Sequence, residues 1–278
     1  MRKRKERLGK IRNKEEKADP SLKEKRLAEF VPQTLESKRE FDETFVDEDD
    51  EQIKQEDAED EYGDYFKKEV TPKVMITTSK NASDKLFAFA DELVDIVPDS
   101  HFIRRGYQFE ISHIMEFGKK REFTDVIIIG EDAQKPNSIT LIHLPNGPTA
   151  YFKLSGIVLS KQIYGHGRSS AHQPELILNN FSTRLGHLVG RMFHSLFPPV
   201  PEFQGRQVAT FHNQRDFIFF RRHRYAFRSG EKADLQELGP RFTLKLKWLQ
   251  RGLYDPNNGE YEWKHKTDME TTRRRFFL

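Results

Sequence analysis

Two strand–helix units, each closed by a proline, lie 100 residues apart in this 278-residue chain. No other feature constrains the fold as strongly. In the first unit KVMITT reads as a buried strand, and SKNASDKL opens a helix capped by Ser83 or Asn81. That helix runs to about Ile96 and stops at Pro98. In the second, ELILNN reads as a strand and STRLGHLVGRMFHSLF as a helix ending at Pro198. Counted back from each proline, apolar residues fall at matching offsets: Phe89 and Val189, Leu93 and Phe193, Ile96 and Leu196, Val97 and Phe197. These offsets make one helical face. Self-similarity at a fixed spacing marks a duplicated unit.

The segments after the two helices correspond too. A helix near 110–119 and strands near 125–129, 138–143 and 149–157 come after the first; strands near 206–211, 217–222 and 224–228 come after the second, and a last strand closes the set. Each half is expected to form an α/β sandwich. The polar, Gly/Ser-rich stretch YGHGRSSAHQP, 164–174, joins them.

Charge divides the chain differently. Residues 1–69 carry 17 Lys+Arg and 22 Asp+Glu, a net of −5; residues 70–278 carry 30 and 22, a net of +8. Within 2–17 there are nine basic and three acidic residues, a pattern of a nuclear or nucleolar address, an RNA-grasping tail, or both. A weak apolar pattern through Leu22, Leu27 and Phe30 reads as a docking helix or as unstructured chain. From Asp47 to Asp64 stand eleven acidic residues and one lysine, Lys54, which reads as a disordered spacer or a shield for basic surfaces. With no cysteine, disulfides and thiolate metal sites are excluded. No apolar run approaches the ~18 residues of a membrane span, and the first ten residues lack the apolar core of a signal peptide. An intracellular chain is expected.

The last strand of the second half is read from residues 237–252, ELGPRFTLKLKWLQRG. Phe242, Leu244, Leu246 and Trp248 alternate with Arg241, Thr243, Lys245 and Lys247, so one face is expected in the core and the other exposed. Cations two residues apart on a strand stand about 7 Å apart, close to the spacing of phosphates on a nucleic-acid strand. An ordinary solubilised strand gives the same pattern.

The four leading residues, Gly239, Pro240, Arg241 and Phe242, with the alternation after them, resemble the motif near the end of the Brix domain of ribosome-assembly proteins. PKVMITTSKNAS, FGKKREFTDVIII, LPNGPTAYFKLS and GEYEWKHKTDMETTRRRFFL are similar to further family segments in family order, over about 71–278. The last of these resembles the ribosome production factor branch that serves the large subunit. The resemblance implies an α/β (α+β) Brix domain at 71–254. Its two duplicated halves, about 71–164 and 174–254, would each resemble the anticodon-binding domain of aminoacyl-tRNA synthetases. A disordered charged arm at 1–70 precedes it and a basic tail at 255–278 comes after. It further implies a nuclear and nucleolar factor that binds precursor ribosomal RNA, assists its processing and large-subunit assembly, and works with pre-ribosomal proteins and one dedicated protein partner. A small-subunit factor, or a protein scaffold that binds no RNA, remains as the alternative.

Catalysis has little support in the residues. GHGRSS lacks the lysine and following helix of a phosphate-binding loop, and neither a G-x-S-x-G elbow nor an H-E-x-x-H pair occurs. His187 and His194 share a helix face without a third metal ligand, and Asp91, Glu92 and Asp95 read as a solvated face. A non-enzyme without cofactor, metal or small-molecule substrate is expected. RNA contact is better supported: residues 206–278 hold 16 basic and nine acidic side chains, interleaved with aromatics in FIFFRRHRYAFR. The expected RNA-binding residues are Arg206; Arg221, Arg222 and Arg224 before a turn; Arg228; Arg241, Lys245 and Lys247; Arg251; and Arg273, Arg274 and Arg275. The tail arginines extend the basic surface or anchor the tail to acidic protein.

Overall fold

Strand β1 (Val74–Thr78) is buried at all five positions, as a strand covered on both faces must be. It pairs in parallel with β2 (Ser100–Phe102) on one side and β3 (Asp125–Asp132) on the other. Parallel neighbours require crossovers, supplied by helices α2 (Asp84–Ile96) and α3 (Ile111–Lys120). β4 (Lys135–His143) and β5 (Thr149–Val158) then add antiparallel partners. This is a computed structural model; it describes residues 34, 36–41, 43–46, 55–57, 60–68, 70–230, 232–269 and 274–278. The chain divides into two units, Met1–Glu40 and Phe41–Leu278. In the first, the described residues form a 3-10 turn at Glu36–Lys38. The basic cluster at 2–17, the apolar pattern through Leu22, Leu27 and Phe30, and residues 47–54 of the acidic run lie outside the described residues.

The second half of the sheet repeats the first. β6 (Glu175–Asn179), helix α4 (Arg184–His194) and a parallel β7 (Gln207–Gln214) lead into β8 (Phe217–Ser229) and β10 (Arg241–Gln250). β5 and β10 pair antiparallel, giving the order β2-β1-β3-β4-β5-β10-β8-β7-β6; β9 (Lys232–Glu237) lies along β8, and β11 (Tyr261–Lys264) along β10. Each half thus runs from a parallel pair near the edge to an antiparallel centre. The α/β duplication holds, but the halves share one sheet and one main core instead of forming two sandwiches. All eight matched helix positions reach that core, each at most 5% exposed. A chain of rings crosses it: Phe152, Phe193, Phe211, Phe220, Phe242 and Phe89, with successive centroids 5.4, 4.4, 4.9, 4.5 and 5.6 Å apart. Thr183 caps α4 by accepting from the Gly186 amide at 2.9 Å. At the start of α2, Ser83 gives its hydroxyl to Glu131 instead, at 2.6 Å.

One asymmetry separates the two halves. In the first half α3 lays Ile114 and Met115 on Met75, Val126, Ile128, Ile142 and Leu144, on the sheet face opposite α2. The second half passes from α4 to β7 through a 3-10 turn, Phe203–Gly205. Among the described residues no helix covers the corresponding face of β7, β8 and β10.

Part of the arm is built into the fold. Tyr62 is fully buried in the main core, and α1 (Gly63–Phe66) comes next with Tyr65 at 5% exposure. The Tyr65 hydroxyl donates to the Phe197 carbonyl at 2.6 Å and lies 2.9 Å from His194 Nδ1. Burying a Phe-sized side chain contributes about 1.5–3 kcal/mol, enough to hold a short acidic segment against its own charge repulsion. The spacer expected through Asp64 is therefore corrected at 60–64, where Tyr62 docks just ahead of Tyr65.

His143 joins this segment to the sheet. Its Nδ1 lies 2.8 Å from Asp125 Oδ1 and its Nε2 3.3 Å from the Glu61 carbonyl. Burial opposes the imidazolium, yet the Asp125 carboxylate and the two acceptors outweigh it and raise the pKa above the ordinary 6.5. The folded state therefore binds this proton more tightly than the unfolded chain. The stabilisation is complete below about pH 6.5 and is lost as pH rises through the raised folded value. Urea unfolding across pH 6 to 9 should show this loss in the wild-type chain and a flatter profile in His143→Gln.

Candidate nucleic-acid interface

Gly239 enters β10 at φ 77°, a conformation glycine adopts without penalty, and an added Cβ would lie 2.8 Å from Ser160 Cα. Ser160 is itself fixed by Glu92 of α2, whose carboxylate accepts from its amide at 2.8 Å and from its hydroxyl at 2.7 Å. Glu92, expected on a solvated face, is thus a structural acceptor, whereas Asp91 and Asp95 are exposed. Pro240 and Phe242 are buried. Arg241 forks onto Glu237 with both contacts at 2.6 Å, holding that carboxyl below its ordinary range. Three of the four motif residues therefore set the backbone and core where the halves meet, and the fourth points outward already paired.

The face left uncovered in the second half carries the candidate site. From β10 it presents Arg241, Thr243 and Lys245; from β8, Phe217, Phe219 and Arg221; from β5, Tyr151, Lys153 and Ser155. Lys245 stands directly across from Lys153, Thr243 from Ser155 on one side and Phe219 on the other. The Lys245 ammonium lies 4.7 Å from the centre of the Phe217 ring, which is 39% exposed. Arg221 Nε comes within 4.0 Å of Glu237, which therefore sits between Arg221 and Arg241. That trio carries a single net positive charge, whereas Lys153 and Lys245 oppose each other as like charges.

The sequence-derived set separates on the two sheet faces. β8 continues through residue 229, so no turn comes after Arg224. Alternation then sends Arg222 to the core face. It is 2% exposed, donates to Gln207 Oε1 at 2.7 Å, and is removed from any RNA surface. Arg224 lies on that same face and donates to the Arg168 carbonyl at 3.2 Å. Arg206, in the left-handed region after the 3-10 turn, is exposed, as are Arg228, paired with Asp234, and Arg251, 3.6 Å from Glu260. Arg274 and Arg275 are exposed beside the buried Phe276 and Leu278, and Arg273 lies outside the described residues. Tail amides of Phe277 and Leu278 donate to Asp216 at 2.7 and 2.9 Å, so this end of the chain is tied to the second half.

A β-bulge corrects the expected face of Trp248. Pairing with β5 jumps from Leu246↔Phe152 to Trp248↔Tyr151, so Lys247 is the extra residue. Trp248 moves to the open side and stacks on Tyr151 at 5.2 Å and 7°, while Leu249 returns to the core. His187 and His194, which share a helix face, go to Asp57 and Tyr65 respectively instead of to a common metal. Lys153 is the functional candidate the sequence reading passed over. Its signal was the alternation Tyr151, Lys153, Ser155 about the buried Phe152 and Leu154.

Comparison with known proteins identifies the family. The model of the Brix domain matches residues 79–248. Ribosome production factor 1 of Mus musculus is 50% identical over 278 residues, covering 99% of this chain and 79% of the relative. The protein of that name from Saccharomyces cerevisiae is 49% identical over 269 residues, 96% of this chain and 88% of the relative. A solved structure, the probable ribosomal biogenesis protein from Aeropyrum pernix K1, aligns over 70% of this chain and 100% of that chain with a TM-score of 0.48 and 15% identity. With the family model spanning more than half its length, and half its residues shared with the mouse and yeast relatives, the chain belongs to the Brix-domain family.

Proposed function

We propose that this chain is a non-catalytic ribosome-assembly factor that binds precursor ribosomal RNA on the open face of its sheet. The observation that carries this reading is the cross-strand pair Lys153 and Lys245. Like charges directly opposite each other destabilise a sheet, and a backbone phosphate between them turns that repulsion into two contacts. Around the pair, Phe217 and Phe219 offer ring faces, and Arg221 and Arg241 extend the positive surface towards β9. Arg206, Arg228, Arg251, Arg274 and Arg275 lie exposed outside this patch, where a longer RNA would reach them. Such binding is sensitive to salt, because each neutralised phosphate releases counterions. The factor holds RNA segments in a foldable arrangement and leaves as assembly advances, working in the nucleolus beside other pre-ribosomal proteins. The tail, 259–278, favours the large subunit through its likeness to that branch of the family.

Ultraviolet cross-linking in cells, followed by sequencing of the attached RNA, tests the assignment. Reads clustered in large-subunit rRNA or its spacers are expected. Clusters in the small-subunit precursor would move the factor to that pathway, and no enrichment would remove RNA binding altogether. One observation favours a second reading, as a protein scaffold: the β8–β9 ribbon exposes Phe227 at 67% and Leu235 at 63%. That reading predicts association with pre-ribosomal proteins that survives ribonuclease.

A further inference from the structure

A groove of about 640 Å³ runs beside α4, and Arg184, His187, Arg251 and Arg275 bring positive or protonatable groups to it. The chain's own acidic segment lies across it in two tiers. In the inner tier Asp60 takes Arg191 as a fork, at 2.8 and 2.7 Å, with side chains only 17% and 10% exposed. In the outer tier Glu56 stands 3.7 Å from Arg184, the two 64% and 51% exposed. Asp57, 27% exposed, accepts from His187 Nε2 at 2.9 Å, while its carboxylate lies 3.3 Å from Arg191 and its carbonyl accepts from Arg191 at 2.9 Å. Glu262 also lines the groove, its carboxyl raised above the ordinary range by burial.

Each outer carboxylate occupies the position a phosphate oxygen would take, within reach of a guanidinium or imidazole donor. The exposed Glu56–Arg184 pair contributes little to stability and is easily exchanged, and Asp57 links it to the better-buried Arg191. The inner fork and the buried Tyr62 that comes after it are not easily exchanged. We propose that the groove is a second RNA-phosphate site, masked in the free protein by Glu56 and Asp57. RNA phosphates displace these two residues, while Asp60–Arg191 and Tyr62 keep the rest of the segment in place. This inference rests on the RNA-binding reading above and adds a built-in competitor to it. The competitor favours RNAs long enough to reach both the groove and the open sheet face over short or incidental ones.

The test uses the full chain and a fluorescent oligouridine as the probe. Glu56→Gln with Asp57→Asn should tighten binding about 3- to 10-fold at moderate salt and steepen its salt dependence. Adding Arg184→Ala and Arg275→Ala should abolish the gain. The inference is overturned by an unchanged affinity, or by a gain that persists in the arginine-free background. An equal gain from Asp84→Asn with Asp91→Asn, two exposed carboxylates on α2, would also overturn it, since that would be a general charge effect. Hydrogen exchange on the wild-type chain gives a second measure that needs no variant: residues 55–57 should exchange faster when RNA is added, and unchanged exchange contradicts displacement. A chain whose affinity responds to Lys153 and Lys245 but not to Glu56 and Asp57 keeps the proposed function and loses this site. Tighter binding of polyglutamate, with RNA unaffected, would assign the groove to an acidic protein instead.

Discussion

Replacing Phe242 with alanine is expected to lower the unfolding free energy by about 3–5 kcal/mol, the range for a buried phenylalanine that leaves a cavity. The ring is 2% exposed on β10, a strand that pairs with both halves. It stacks on Phe220 at 4.5 Å and meets the edge of Phe89 at 5.6 Å, so one side chain joins the second-half strands to the first-half helix. The surrounding core is held by two helices and a continuous sheet, which limits how far it collapses into the space. Urea unfolding followed by tyrosine and tryptophan fluorescence measures the change. A loss below about 1 kcal/mol, well under the usual cost of such a cavity, would show that the halves do not depend on this contact. Because Phe242 points away from the open face, the folded fraction should bind RNA as the wild-type chain does.

Tyr62→Ala should cost a similar amount, about 3–5 kcal/mol for a fully buried ring. Its side chain is 0% exposed, belongs to the main core, and packs against the His143 ring at 4.3 Å. The hydroxyl has no hydrogen-bond partner among the described residues. Tyr62→Phe should therefore be neutral or slightly stabilising, since a buried unpaired hydroxyl carries a desolvation cost of about 1–3 kcal/mol. The pair of variants separates packing from polarity. If residues 60–68 were a spacer, neither substitution would change stability, and limited proteolysis would cut there in the wild-type and the alanine variant alike.

The duplicated helices were legible because burial follows a period that sequence displays directly: Phe89, Leu93, Val189 and Phe193 all reach the core at the offsets the two prolines define. The fusion of the halves was not, since the pairing of β5 with β10 joins residues more than eighty positions apart, from 149–158 to 241–250, through backbone groups that carry no residue code. The open face was half legible. Alternation places Arg241, Thr243 and Lys245 correctly, then fails at Trp248, where the bulge inserts Lys247 and reverses the remaining faces. Reading a turn after Arg224 likewise hid the rule that separates Arg221 from Arg222: in one uninterrupted strand, neighbours point to opposite sides. For the acidic run, average composition masked two aromatics within or just after it, Tyr62 and Tyr65, whose burial outweighs the charge around them. In the Gly239–Phe242 motif, the sequence marked the place accurately while its main role is to pack glycine on Ser160 and Phe242 in the core.

The most direct test of the central claim is RNA affinity against salt concentration for the wild-type chain and for Lys153→Ala with Lys245→Ala. Both side chains stand on the open face and neither is in the core, and their removal relieves a like-charge pair, so the variant should keep or slightly raise its unfolding midpoint. Weaker binding is expected, with a log–log salt slope shallower by about 1 to 2, the loss of two phosphate contacts at ~0.7 each on single-stranded RNA. An affinity and slope equal to the wild-type values would show that RNA, if bound, lies elsewhere, and would contradict the assignment of this face.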